Sequence, residues 1–556
     1  MTYVLSVRAL LTTNGGHLSC RRRRQALFTA SAELGPYTVA SDQFLVIHHD
    51  YTDISYICSH TRYSCTQRTL ILTTIYPLLR GGNSPFQMAL FMTRLSQAAR
   101  HNLHTLRTRP LAEISGSLGS LCIFIPHFTT MAANQFIHLS STLILTGLSN
   151  ILVGVFFGIP MPVQPMMVIA SVSMKSQYGN LEETMYPALG VAIYLMLLSM
   201  TGFMRWLNRI IPVPVVKGVQ VSTGLWVILF AGEQLLRPLH WYTYFPATSS
   251  VDNMYWALAA FLVLLACERA PRVPYALIVV IFGLILATGN TPLYEPPWRS
   301  RPPLSGTPPI VVPSVYYLDH ALLGDGLGEL ARTILTSIIA TSHLAKDLPI
   351  DSDMPTPTAT ELSVSVAAIN ILGCWFGAMP ANLGVQGLAA QYRFGARSGA
   401  SVMILGGASL ILGLVALFSG LDVSYLLACI PKAFLGVMAV ATGVELLKTG
   451  ETLNTSARDL RGEEAGGDDA AGGSVHLREV DEEERRARWA VMLVTVAGSL
   501  TFKSETAGFI VGMLWYWGLG SKEQTCAPPQ WWTRGAASQG ETRPLLDPEV
   551  PRDEEG

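Results

Sequence analysis

The chain has 556 residues, of which 50% are hydrophobic and 14% charged, and its formal net charge is −1. A soluble domain carries about 25% charged residues, so this deficit, with a mean hydropathy of +0.35, argues for a polytopic membrane protein. The near-neutral balance gives no field for nucleic acid or an acidic partner, and the eight cysteines show no CxxC pair or His/Cys metal spacing, so no cofactor is expected.

Residues 1–110 read as a poorly structured cytosolic extension. Met1 to Leu11 lacks a basic region followed by a cleavage site, so no signal peptide is expected. Arg21 to Arg24 form a basic run that suits a solvated tail better than a targeting patch. Thr69 to Leu79 is apolar but too short to span, since a crossing needs about 20 residues.

From Glu113 the apolar spans read as 113–133, 136–158, a half-helix from 165, 184–204, 214–236, 254–268 and 273–289. A Pro-rich linker, 291–326, follows. The second set reads 327–345, 361–379, a half-helix from about 384, 397–419, 423–447, 487–502 and 504–519. The expected fold is therefore an all-α polytopic membrane protein of about 14 segments, with repeats at 111–290 and 327–520. Seven is odd, so the halves insert with opposite orientation, as inverted repeats do. Arg and Lys concentrate in one set of loops, among them Arg205, Arg209, Arg269, Arg272, Lys346 and Lys448. By the positive-inside rule these loops are cytosolic, and so are both termini. The stretch 451–488 reads as a disordered cytosolic loop and 521–556 as a cytosolic tail.

The most informative stretch is Asn150 to Met166. An apolar helical run ends at Gly158 and meets Pro160, Pro162 and Pro165, with Gln164 between the last two. Proline removes backbone donors and fixes φ, so no helix runs through. Pro165 can open a new helix instead. Irregular backbone at membrane depth survives only where protein buries it or it lines a cavity, and a broken helix there points to a transporter binding site. Adding 220 to the numbering finds a relative: Asn150, Ile151, Leu152, Phe156 and Pro160 recur as Asn370, Ile371, Leu372, Phe376 and Pro380. At an offset of 219, Ile211-Pro212 and Thr223-Gly224 recur as Ile430-Pro431 and Thr442-Gly443. Two pairs on helix-breaking punctuation indicate a duplicated unit.

Leu111-Ala-Glu-Ile-Ser-Gly-Ser-Leu-Gly119, Phe157-Gly-Ile-Pro-Met-Pro-Val-Gln-Pro-Met166, Gly373-Cys-Trp-Phe-Gly-Ala-Met-Pro380 and Gln391-Tyr-Arg-Phe-Gly-Ala-Arg-Ser-Gly399 together resemble the molybdate transporters related to sulfate permeases, which lack those permeases' cytosolic regulatory domain. The resemblance covers about 110–520 and implies a fold shared with uracil and sulfate transporters, with a core and a gate subdomain. Three departures fall at the implied site. Ser120 stands where the family usually has Asp, Met167 where it has Lys, and Leu383 and Gln386 where its second broken helix has His and Gly.

Molybdate and sulfate are tetrahedral dianions. Two facing helix N-termini supply about +0.5 each, so side-chain donors, a cation or a proton must complete the balance. The substrate-binding set is Gln164, Pro165 and Met166 on the first break and Asn382, Gly384, Gln386 and Gly387 on the second. The alternative for Gln164 is an amide that caps the new helix. Arg332 and Lys432 lie near span ends and are expected to snorkel to the interface; Lys217 is a third basic residue within a span. Arg393 and Arg397 suit a cytosolic junction. Glu445 is either a coupling acid or an interfacial partner of Lys448.

The expected function is molybdate transport by alternating access; sulfate transport and a non-transporting anion sensor are the alternatives. No His-Glu-x-x-His, paired aspartates or serine nucleophile setting supports an intramembrane enzyme. The partners are the oxyanion and the lipid bilayer, with a homodimer left open. Glu541-Thr-Arg-Pro-Leu-Leu546 fits an acidic dileucine signal read by a sorting adaptor through Glu541, Leu545 and Leu546. It would send the protein to a vacuolar or endosomal membrane; without it the plasma membrane is expected.

Overall fold

The computed structural model describes residues 85–241 except 168 and 170–180, 252–289 except 271–272, 307–311, 325–349, 355–419, 423–460 except 456, 478, and 480–520. Apart from two short strands, its regular elements are helices.

The first half comprises α1 (Pro85–Thr108), α2 (Pro110–Gly119), α3 (Leu121–Ala133), α4 (Leu139–Phe157), β1 (Gln164–Pro165), α5 (Leu181–Met200), α6 (Phe203–Ile210), α7 (Val213–Phe230), α8 (Met254–Arg269) and α9 (Tyr275–Gly289). The second comprises α10 (Asp325–Arg332), α11 (Thr341–Asp347), α12 (Ala359–Trp375), β2 (Ala381–Asn382), α13 (Val385–Arg393), α14 (Gly399–Ser419), α15 (Val423–Ala428), α16 (Lys432–Leu447), α17 (Glu482–Thr501) and α18 (Glu505–Gly520). Thr333–Ala340 is wound as a π-helix that joins α10 to α11 without a break, and Ala231–Leu236 continues α7 in the same way.

Among the described residues, four helical segments are long and apolar enough to cross a membrane: Leu139–Phe157, Val213–Leu236, Gly399–Ser419 and Lys432–Asn454. Two bent pairs also qualify, α2 with α3 at 40° and the Thr184–Met200 part of α5 with α6 at 83°. Large apolar side chains face outward on several helices. Leu152 is 60% exposed, Leu372 62%, Ile411 63% and Phe418 83%; a surface this apolar suits lipid rather than water.

Close packing builds the interior. An added Cβ on Gly399 would sit 2.2 Å from the Gly154 carbonyl oxygen, and one on Gly406 would sit 2.6 Å from that of Gly147. These glycines let α4 and α14 touch backbone to backbone, the small-residue packing of membrane helices. Gly224 on α7 and Gly443 on α16 meet in the same manner: a Cβ added to either would lie 2.8 Å and 2.7 Å, respectively, from the other's carbonyl oxygen.

Two boundaries differ from those read in the sequence. Residues 85–108, placed above in an extension, form α1, and α1 is tied to the bundle. Asn102 donates to the Gly154 carbonyl at 3.0 Å, Thr105 donates to Ser398 Oγ at 2.6 Å, and Arg94 pairs with Glu361. The polar helix lacks a spanning pattern but makes side-chain bonds that hydropathy does not register. The stretch 451–488 also has ordered rims. Arg488 pairs with Asp459 and donates to the Leu453 carbonyl at 2.8 Å. Low apolar content concealed an ion pair that holds both ends of the loop.

Candidate oxyanion site

Each break in the helical run is made the same way. Gly158 (φ 67°) and Gly377 (φ 65°) take the left-handed conformation that ends a helix cheaply only for glycine. An asparagine then folds the following chain back. Asn150 Oδ1 accepts from the Val163 N–H at 2.8 Å, and Asn370 Oδ1 accepts from the Ala381 N–H at 2.8 Å. Asn370 Nδ2 also donates to the Val366 and Ala381 carbonyls. These bonds satisfy backbone that the prolines leave without helical partners.

The two folded-back strands then meet each other. β1 pairs antiparallel with β2, with Gln164 opposite Asn382 and Pro165 opposite Ala381. The Met166 N–H donates to the Pro380 carbonyl at 2.9 Å. Beyond β2, Gly384 caps α13. Beyond β1 the chain turns helical at Met167 and Ile169; the rest of this expected half-helix, 170–180, lies outside the described residues.

The structure brings the sequence-derived site residues together here. Gln164 is fully buried and neither amide atom has a partner among the described residues; Asn382 Oδ1 is likewise buried without one. Among the described residues its amide bonds no backbone, and most of the helix that it would cap, 170–180, lies outside them. Gln386, in the first turn of α13, places Nε2 3.7 Å from Met167 Sδ. Gly387 is required by space, since an added Cβ would lie 2.9 Å from Gln164 Cγ and 3.0 Å from Pro162 Cγ. Leu383 is fully buried and its carbonyl accepts from Thr341 Oγ1 at 3.0 Å, which docks α11 against the second break. Ser120, at the joint between α2 and α3, is buried with an unpartnered Oγ.

The basic residues are placed differently from expectation in one case. Arg332 does not snorkel outward. Its Nη2 donates to Glu505 Oε1 at 3.1 Å and lies 3.8 Å from Met167 Sδ, the atom that Gln386 also approaches. Position near a span end suggested an interfacial role, but the side chain is directed to an acid on α18. Lys217 donates to Asp347 Oδ2 and Thr452 Oγ1, each at 2.8 Å. Arg393 pairs with Glu268. The Arg397 guanidinium lies over the Tyr392 ring at 3.8 Å, and the Arg397 backbone N–H donates to Glu113 Oε1 at 2.9 Å. Glu445 makes an i,i+3 pair with the half-exposed Lys448 at 3.2 Å, the geometry of the interfacial alternative. Sequence reasoning also passed over Glu329, a buried acid whose Oε1 accepts from Thr333 Oγ1 at 3.1 Å. Its signal was an acid inside the first turns of an apolar span.

With this geometry in view, comparison with known proteins is decisive. The model of the family described as "Molybdate transporter of MFS superfamily" matches residues 112–226 and 321–446. Molybdate transporter 2 of Arabidopsis thaliana is 32% identical over 443 residues, covering 73% of this chain and 86% of that protein. The chain belongs to the molybdate transporter family. Molybdate transporter 1 of Arabidopsis thaliana is 30% identical over 393 residues, covering 63% of this chain and 83% of that one. Molybdate transporter 1 of Chlamydomonas reinhardtii is 29% identical over 437 residues, covering 60% and 83%. Among solved structures, murine Solute Carrier 26 family member A9 in the inward-facing state is 14% identical with a TM-score of 0.48, covering 86% of this chain and 76% of that one. The transmembrane domain of the cyanobacterial bicarbonate transporter BicA is 14% identical with a TM-score of 0.44, covering 73% and 98%. The relatives and the apolar exterior make this an integral membrane protein of a family of molybdate transporters.

Proposed function

We propose that this member of the molybdate transporter family carries a tetrahedral oxyanion, molybdate first, across a membrane by alternating access. One observation carries the reading: two helix breaks are paired face to face, and a fully buried glutamine on one of them has no partner for either amide atom among the described residues. A buried unsatisfied amide is costly, and a site that awaits an anion explains its retention. Gln164, Asn382 and Gln386 would donate hydrogen bonds. Pro165, Met166 and Gly387 would shape the surrounding backbone, and the N-terminus of α13 behind its Gly384 cap would face the ligand.

The inverted repeat of about 14 segments belongs to this reading. Its support is the recurrence of the asparagine clamp at Asn150 and Asn370, of the positive-φ glycine at Gly158 and Gly377, and of the crossing glycine at Gly224 and Gly443. The Gly224–Gly443 contact between repeat equivalents fits a pseudo-two-fold axis through the α7–α16 crossing.

The full chain in proteoliposomes should take up labelled molybdate saturably, with unlabelled sulfate as a weaker competitor. Saturable uptake of sulfate alone would reassign the substrate, and saturable uptake of neither would overturn the transporter reading in favour of a sensor.

The sorting signal at Glu541, Leu545 and Leu546 lies outside the described residues. Replacing Leu545 and Leu546 by alanine should move a tagged protein from a vacuolar or endosomal membrane to the cell surface under the microscope. An unchanged distribution would dispose of the signal.

A further inference from the structure

The N-terminus of α13 supplies about half a positive charge, which leaves a dianion well short of neutral, and the paired breaks, residues 158–167 and 377–387, contain no basic side chain. Among the described residues, Arg332 brings a cation to this junction. Its Nη2 is 3.8 Å from Met167 Sδ, and Gln386 Nε2 reaches the same sulfur at 3.7 Å. Met167 therefore stands between the guanidinium and the first turn of α13. The sulfur is a weak, polarizable acceptor and holds neither donor firmly, so little needs to be broken for both to turn toward an incoming oxyanion.

Arg332 has a strong partner in Glu505 at 3.1 Å, and the two side chains are only 16% and 7% exposed. A guanidinium this enclosed requires an anion. It also presents a planar fork of donors that matches an oxyanion as well as a carboxylate. The element that carries Arg332 runs directly into the π-helix at Thr333–Ala340. A π turn re-aims side chains and is frequent at functional sites.

We infer that Arg332 supplies the cation of the oxyanion site and that Glu505 is its resident counter-ion, displaced when the oxyanion binds. This inference rests on the transport reading above. It adds a consequence for motion: the Arg332–Glu505 pair ties α10 to α18, so exchanging the carboxylate for the substrate loosens that tie at the moment of binding. Affinity for the oxyanion is then set by competition with Glu505.

The test uses the full chain in detergent, with sodium molybdate as the probe and thermal unfolding as the readout, because a ligand that binds only the folded state raises the midpoint by mass action. Glu505→Gln removes the competitor and should tighten the apparent Kd for molybdate by about tenfold. Arg332→Gln should abolish the molybdate-dependent shift. The double variant Arg332→Gln with Glu505→Gln removes both members of the pair and leaves Glu329, the second acid that acts on Arg332, as the buried charge nearby; it should still fold and unfold cooperatively without molybdate and show no shift with it. If either single variant fails to fold, the double variant decides the matter. A double variant that keeps the parent's molybdate Kd, or a Glu505→Gln protein that loses binding as Arg332→Gln does, would reduce the pair to a structural bridge. A folded parent that responds to neither molybdate nor sulfate removes the transport reading and this inference with it, a result visible before any variant is made.

Discussion

Gln164→Ala is expected to weaken molybdate handling by roughly ten- to 150-fold in apparent affinity, the equivalent of about 1.5–3 kcal/mol for one hydrogen bond to a charged group. Expression and membrane insertion should stay at the parent level. Both amide atoms of Gln164 are buried without a partner, so truncation breaks no bond among the described residues and removes an unsatisfied polar group. Gln164→Glu should be worse, because it sets a like charge beside a dianion. Gly387→Ala offers a second route to the same amide, since its new Cβ would press on Gln164 Cγ from 2.9 Å. Uptake of labelled molybdate into proteoliposomes, normalised to inserted protein, measures all three. Parent-rate transport by a normally inserted Gln164→Ala protein would make the residue a structural element and move the site to Asn382 and Gln386.

Sequence marked the two breaks because proline and glycine act locally. Pro160, Pro162, Pro165 and Pro380 forbid a helix wherever the chain goes, and the match of Asn150 to Asn370 marked the side chains that clamp the breaks. That Gln164 faces Asn382 was not legible. Antiparallel pairing of two-residue strands from distant segments depends on how two repeats pack, not on either segment alone. The same limit applies to charge. Arg332 has an ordinary local setting near a span end, where arginine usually snorkels; only the arrival of Glu505, 173 residues later, changes its role. Helix α1 was missed for a related reason. Its anchoring bonds are made by polar side chains to Gly154, Ser398 and Glu361, contacts that a search for apolar runs cannot find. Met167 shows the reverse case. The family usually carries a lysine there, whose ammonium suits an oxyanion by charge alone. In the structure Arg332 already lies against that position, so the added ammonium would meet a guanidinium first.

Lys217→Met is expected to destabilise the protein by about 3 kcal/mol, and adding Asp347→Asn should restore most of that loss. Lys217 is 2% exposed and Asp347 11% at the side chain, and they are joined at 2.8 Å. Removing the ammonium leaves a carboxylate enclosed without its cation, which costs more than the intact pair contributes. Lys217 also donates to Thr452, so one side chain links α7, α11 and the 3₁₀ turn at Lys448–Asn454. With both charges replaced, only packing and the Thr452 bond are altered, and a methionine fills most of the volume of the lysine stem. Thermal unfolding of the four proteins of the cycle in detergent gives the coupling energy. Uptake by the double variant then separates structure from substrate contact. Lys217 has its own acid and its own hydroxyl, and neither belongs to the paired breaks, so the rescued protein should transport molybdate near the parent rate. A double variant that is stable yet inactive would place the Lys217 ammonium on the path of the anion.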